Sequence, residues 1–234
     1  MIKAVIFDLD NTLMDFMTMK ENAIKAAVKA MIDAGLNIEP GDAVGELYAI
    51  YDREGIEYQR VFDSFLEKHL GKIDWKILSS GVVAYRKARE ASLVTYPHVS
   101  MTLIGLLKKG MKLAVLSDAP RREAWLRLCY LQIQYLFDTV ITFEDTGLKK
   151  PDVTPFEKVL SLIDVKPVET VMVGDWPERD LAGAREVGMH TVFARYGFAF
   201  SRKPIGSEGA DYVIDDIKYL PDVIDRINRH EGKK

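Results

Sequence analysis

The feature that most constrains this chain is a set of short apolar runs, rich in β-branched residues and too short to be helices. Residues 3–9, Lys-Ala-Val-Ile-Phe-Asp-Leu, form the first. Lys112–Ser117, Thr139–Phe143 and Thr170–Gly174 resemble it, and His190–Ala194 and Tyr212–Ile214 are weaker copies. A run that is apolar at every position, not at every second one, has to be covered on both faces, as a strand in a parallel sheet is. Parallel strands need long crossovers, and helical patterns fill those gaps. Val99–Lys109 stops at Gly110, and Pro120–Tyr130 opens with proline at a first helical position. Thr154-Pro-Phe-Glu157 has the form of a capping box that starts a helix, and Arg179–Val187 stops at Gly188. The alternation predicts an α/β fold: a Rossmann-like parallel sheet with helices on both faces.

Residues 15–92 break the alternation, for they hold no buried-strand pattern. Thr18-x-x-Glu21 reads as a capping box, and Ala23, Ile24, Ala27, Met31 and Ile32 then keep helical spacing up to Gly35. Asp42–Tyr51 is a second helix candidate. Val61, Phe62, Phe65 and Leu66 mark a third ending at Gly71, and Asp74 can cap a fourth that runs to about Glu90. Met19, Met31, Phe62 and Phe65 are expected to pack this bundle. The reading is therefore a split core, 1–14 and 93–234, carrying an inserted α-helical bundle, a cap domain, at 15–92.

Composition limits the function classes. A net charge of −3 over 234 residues argues against nucleic-acid or anionic-membrane partners, which call for a basic face. No apolar stretch is long enough to span a bilayer, and the first residues lack a signal-peptide pattern, so a cytoplasmic protein is expected. The single cysteine, Cys129, is expected to be a small buried apolar residue. Charged residues make up 29% while the amides number four Asn and three Gln, a balance that points to a thermophilic source.

The chemistry-bearing residues fall where strands end. Asp8 and Asp10 close the first run at i and i+2, which alternation places on one face. Two carboxylates in one small volume need a shared proton or a cation, and a hard divalent ion such as Mg²⁺ suits oxygen ligands. A plain strand end and turn would use the same residues. Ser117 and Asp118 stand between the second run and a helix, where backbone N–H groups favour anions; they equally suit ordinary capping. Lys150, ahead of Pro151-Asp152, can put a point charge over the strand ends, whereas Lys149 reads as a solvated loop residue. Gly174-Asp175 ends the fourth run, with Asp180 five residues on.

Taken in order, Asp8-Leu-Asp10-Asn-Thr12-Leu13, Ser117, Lys150-Pro-Asp-x-x-Pro155-Phe156 and Gly174-Asp175 with Asp180 resemble the haloacid dehalogenase superfamily, in its phosphatase branch with a helical cap after the first motif. The resemblance spans essentially the whole chain. It implies that Asp8 is nucleophile and metal ligand. Asp10 would be acid and base, with its backbone carbonyl on the metal. Asp175 would bind Mg²⁺, while Asp180 would support that shell or orient Lys150. Ser117, with Asp118 beside it, would bind the phosphoryl group, Lys150 would neutralise charge, and Thr12 would orient the Asp10 region. Dehalogenases release halide and lack an acid at the second position, so Asp10 favours phosphate chemistry.

The stretches Ser80-Gly-Val-Val-Ala-Tyr85 and Val171-Met-Val-Gly-Asp175 are similar to archaeal members described as glyceraldehyde 3-phosphate phosphatases. That similarity implies a small phosphorylated metabolite, a sugar or triose phosphate, as partner. Phosphoglycolate, nucleotides, a mutase reaction and a non-catalytic binding protein on this fold stay open as alternatives. Phe16, Met17, Trp176, Tyr85, Arg86 and Arg89 are candidate specificity residues, each equally explained by packing or solvation.

Overall fold

The computed structural model describes residues 1–198, 204 and 206–231. Its elements run β1 (Ala4–Phe7), α1 (Phe16–Asp33), α2 (Pro40–Glu54), α3 (Val61–Leu70), α4 (Trp75–Ala91), α5 (Val99–Lys108), β2 (Lys112–Leu116), α6 (Arg121–Tyr130), β3 (Thr139–Ile141), α7 (Phe143–Thr146), α8 (Val153–Ile163), β4 (Thr170–Gly174), α9 (Ala182–Glu186), β5 (His190–Ala194), β6 (Tyr212–Ile214) and α10 (Leu220–Glu231). The chain divides into two compact units: Met1–Asp15 with Val94–Lys234, and Phe16–Leu93.

The first unit is built on one sheet in the order β3-β2-β1-β4-β5-β6, parallel throughout. The unbroken apolar runs have the cause inferred above. Val5 and Phe7 join Leu103, Leu106, Val115 and Ile224 on one face, while Ala4 and Ile6 join Ala114, Phe156, Val159 and Met172 on the other. Successive strand residues alternate sides, so a run buried on both sides has no polar position.

Several boundaries differ from expectation, each for a local reason. β1 ends at Phe7; the Asp8 N–H still donates to the Val173 carbonyl at 2.9 Å, but Asp10 lies beyond the pairing that enforces alternation. β3 stops at Ile141 because Thr142 caps α7: its hydroxyl and backbone N–H both donate to the Asp145 carboxylate, each at 2.8 Å. α8 starts at Val153, one residue before Thr154, because the Asp152 carboxylate accepts from the Thr154 N–H at 2.9 Å and takes the cap position. Pro120 stands just ahead of α6 instead of inside it. The helix expected at Arg179–Val187 is a wide, π-type turn, Pro177–Leu181, followed by α9. Cys129 is exposed, which corrects its expected burial: α6 turns Glu123, Ala124, Arg127 and Leu128 inward, and Cys129 falls on the outer side.

The second unit is all-helical. α1 starts at Phe16, so Thr18 lies in its first turn and is not the cap residue. The Glu39 carboxylate accepts from Gly41 N at the head of α2, and Asp74 accepts from Lys76 N and Ile77 N at the head of α4. α1 packs along α4, and Met31, Leu47, Phe62, Phe65 and Leu66 fill the interior; Met19 is buried as well. Lys20 is buried too, its ammonium donating to the Ile56 carbonyl at 2.7 Å and lying 4.0 Å from the centre of the Tyr51 ring. Among the described residues no helix is long and apolar enough to cross a membrane.

Candidate active site

From β1 the chain builds outward through β2 and β3 on one side, then crosses over β1 to continue through β4, β5 and β6 on the other. The carboxyl ends of β1 and β4 therefore flank the point where winding reverses, the place where open parallel sheets bind ligands. Asp8 follows β1, Ser117 follows β2, Asp175 follows β4, and Lys150 lies between α7 and α8. All four are almost wholly buried.

Lys150 organises the group. Its ammonium donates to Asp8 Oδ1 at 2.5 Å, to the Leu116 carbonyl at 2.9 Å, and meets Asp180 Oδ1 at 2.6 Å. Three N–H donors thus find three acceptors, the full capacity of a lysine. Its own backbone N–H donates to Asp118 Oδ1 at 2.9 Å, so the Asp118 side chain helps place Lys150. Arg179 approaches the other Asp118 oxygen at 3.5 Å while its guanidinium lies 4.2 Å over the Trp176 ring. The Ser117 hydroxyl accepts from Ala119 N at 3.2 Å, and Lys149 is exposed.

Asp8, Asp175 and Asp180 form a buried cluster whose carboxylate oxygens can all lie within 4.8 Å of one another. Gly174 makes this possible: a Cβ there would stand 2.3 Å from Asp180 Oδ2 and 2.5 Å from its Cβ and Cγ. The wide turn brings Asp180 back so that the same Oδ2 accepts from Trp176 N at 3.0 Å, leaving Oδ1 to Lys150. Thr12 donates to Asp175 Oδ1 at 3.2 Å, so its hydroxyl serves Asp175, where the resemblance implied the Asp10 region. The Asp10 side chain stands outside the cluster and takes a 2.7 Å bond from Arg127 Nη1 at Oδ2.

Three contributors were missed in the sequence. Arg127 lies within the Pro120–Tyr130 helical pattern and belongs to none of the motifs singled out above. Tyr196 donates through its hydroxyl to the Thr12 carbonyl at 2.8 Å, and Gly197 lets β5's exit press on the same turn, since a Cβ would meet the Asn11 carbonyl oxygen at 1.6 Å. Neither carries a local signal, because the contact spans more than 180 residues of chain.

The electrostatics fit a cation. Burial pushes the Asp8 carboxyl up to about 8; Lys150 opposes that rise, and Asp180 and Asp10 add to it. Asp175 is raised well above the usual carboxylate range by burial first, then by Asp8 and Asp180. Burial alone would lower the Lys150 ammonium, but Asp180, Asp8 and Asp118 overrule it and hold it raised. One ammonium cannot keep three buried carboxyls ionised together, so the site needs bound protons or further positive charge, and oxygen donors of this kind suit a hard divalent cation.

Comparison with known proteins agrees with this geometry. The chain belongs to the haloacid dehalogenase-like hydrolase family, whose model matches residues 5–194. It is 38% identical over 229 residues to the glyceraldehyde 3-phosphate phosphatase of Methanocaldococcus jannaschii, covering 98% of this chain and 100% of that one. It is 33% identical over 227 residues to the protein of the same name from Pyrococcus furiosus, covering 97% and 95%. The fold matches a crystal structure described as a putative β-phosphoglucomutase from Thermotoga maritima, with a TM-score of 0.74, 22% identity and coverage of 96% and 99%.

Proposed function

We propose that this chain is a Mg²⁺-dependent cytoplasmic phosphatase that hydrolyses a small phosphate monoester, a sugar or triose phosphate such as glyceraldehyde 3-phosphate, through a phosphoaspartate on Asp8. The observation that carries the reading is the Asp8 carboxylate gripped by Lys150 within a buried three-carboxylate cluster at the switch point of the sheet. Support for the substrate class comes from the full-length relatives named as glyceraldehyde 3-phosphate phosphatases.

Asp8, Asp175 and the Asp10 carbonyl would hold Mg²⁺, with Asp180 in support. When bound, the ion supplies the positive charge that lets a carboxylate approach a phosphate dianion, a repulsion of about 8 kcal/mol at ~4 Å and an effective dielectric near ~20. Asp8 Oδ then attacks phosphorus. The bond from phosphorus to the leaving oxygen breaks, and Asp10 gives that oxygen its proton. Lys150 balances charge on the transferring group, and the Ser117 hydroxyl donates to one of its oxygens. Asp10, now ionised, takes a proton from water, which cleaves the acyl phosphate and frees Asp8. Thr12 keeps Asp175 in place throughout. The helical unit acts as the cap that selects the leaving group.

A panel of phosphorylated metabolites, assayed for phosphate release with Mg²⁺ and after exhaustive chelation, tests the proposal. Release from a triose or sugar phosphate with Mg²⁺, lost with EDTA and restored by added ion, is expected. Full activity in metal-free buffer would sink the metal assignment, and no release from any ester would sink the reaction.

A further inference from the structure

We propose that Arg127 is a positioning residue for the proton-transfer step: it fixes the Asp10 carboxylate apart from the Asp8–Asp175–Asp180 cluster, so that Asp10 carries protons instead of becoming a further side-chain ligand to the ion. The inference rests on the reading of Asp10 as acid and base given above.

Its first ground is where Arg127 sits. α6 turns Glu123, Ala124, Arg127 and Leu128 inward, the face on which a short helix normally sets apolar residues. The Arg127 side chain is only 5% exposed. Burying a guanidinium is costly unless a carboxylate meets it, and the partner here is Asp10, at 2.7 Å. A leucine would serve α6 packing better if packing were all the position did.

Its second ground is the asymmetry of the pair. Asp10 keeps 24% of its side chain exposed against 5% for Arg127, so the arginine is the more deeply buried partner and the carboxylate lies nearer the surface of the unit. A third is what the pairing prevents. Asp8 and Asp10 are only two residues apart in the chain. Yet the three carboxylates that converge are Asp8, Asp175 and Asp180. The guanidinium, carried by a helix that begins just after Ser117 and Asp118, pins Asp10 to a different wall of the site.

Arg127→Met and Arg127→Lys test this. A positioned acid contributes about 10²–10⁴-fold, so Arg127→Met should slow turnover of an alkyl phosphate by about 10²-fold, with no build-up of phosphoenzyme. With p-nitrophenyl phosphate the leaving group needs little acid. The first-turnover burst of nitrophenolate should persist, while phosphoenzyme accumulates as an intact-mass gain of one phosphoryl group. Arg127→Lys keeps the charge and should recover part of the alkyl phosphate rate. Mg²⁺ titrated calorimetrically against the full chain should bind Arg127→Met at least as tightly as wild type, because a carboxylate has been released toward the cluster.

Equal slowing with both esters and no phosphoenzyme, or unchanged kinetics, would overturn the proposal. So would weaker Mg²⁺ binding that tracks a lower melting temperature, which marks a purely structural ion pair. Should Arg127→Met fail to fold, Arg127→Lys carries the test alone: a slowing of the alkyl ester several times that of the burst supports the role, and equal slowing removes it. Asp10→Asn run alongside separates the two readings. If Asp10→Asn lacks the leaving-group signature, the acid–base assignment of Asp10 has failed; if it has the signature and Arg127→Met does not, only the role of Arg127 has.

Discussion

The two units bury charge very differently. Around the parallel sheet, Asp8, Glu123, Arg127, Lys150, Asp175 and Asp180 are all buried, gathered where the chain leaves β1, β4 and the helix after β2. In Phe16–Leu93, Lys20 is the one buried charged residue, and the interior is otherwise aliphatic, aromatic and thioether. Desolvated ions are costly to keep, so the sheet unit gives up stability to hold a charged site in place. The helical unit is held by apolar packing around a single buried ammonium, that of Lys20.

The most severe test of that contrast is Asp8→Asn. Turnover should vanish, since an amide cannot attack phosphorus. The metal-free variant should melt at or above the wild-type temperature, because one of three crowded carboxylates has lost its charge. Calorimetry and a phosphate-release assay read the two outcomes; a folded variant with a tenth of wild-type rate would remove Asp8 as nucleophile.

Phe65→Ala should do the reverse. Emptying a fully buried aromatic site costs about 3–5 kcal/mol, so the melting transition of Phe16–Leu93 should fall sharply, while calorimetric Mg²⁺ affinity stays at the wild-type value. Loss of ion binding in that variant would mean the units are not energetically separate.

Lys150→Met sharpens the comparison from within the sheet unit. Stripping the ammonium from between two buried carboxylates should cost about 3 kcal/mol at pH 8. Most of that should return near pH 5, as the carboxylates take up protons instead. Denaturant titration of the metal-free variant at both pH values checks it, and a pH-independent loss would point to packing as the cause.

The last test is a pH slope. Asp8 titrates at about 8 in the folded chain, above the ordinary carboxylate value of 3.8. Between those values the folded state holds a proton that the unfolded state has lost, so the metal-free protein should lose stability as pH rises through that window and level off above it. Saturating Mg²⁺ should flatten the slope, and thermal melts in matched buffers would reveal a slope that persists.

Much of this was legible in the sequence, because it rests on short-range rules. The strands could be read because burial on both faces leaves no polar position, and Asp74 announced α4 because an N-cap needs only its own next turn. Asp8, Ser117, Lys150 and Asp175 were findable because strand ends converge in any parallel sheet. What escaped needed the third dimension. That the Asp10 side chain bonds to Arg127 could not be read from the i and i+2 spacing, because Asp10 lies past the last paired residue of β1. Tyr196 and Gly197 act on residues 11 and 12 from the far end of the chain. A signal for Arg127 did exist: Glu123 and Arg127 share helical spacing with Ala124 and Leu128, so the apolar stripe of α6 includes charges. Cys129 was misplaced by the same oversight, since turning that stripe inward puts position 129 outside.

The central place of β1 has a consequence for how the molecule comes together. Ala4 is paired on one side with Lys112 and on the other with Thr170, so the strand made first during synthesis has both neighbours still to come. Residues 16–93 intervene, with helices whose contacts are closer in sequence and quicker to form. Until β2 and β4 have been made, four apolar residues and the Asp8 behind them have no partner strands. The carboxylate cluster closes only when β4 pairs with β1 and brings Asp175 beside Asp8, so the central strand cannot present its site until the second half of the sheet is in place.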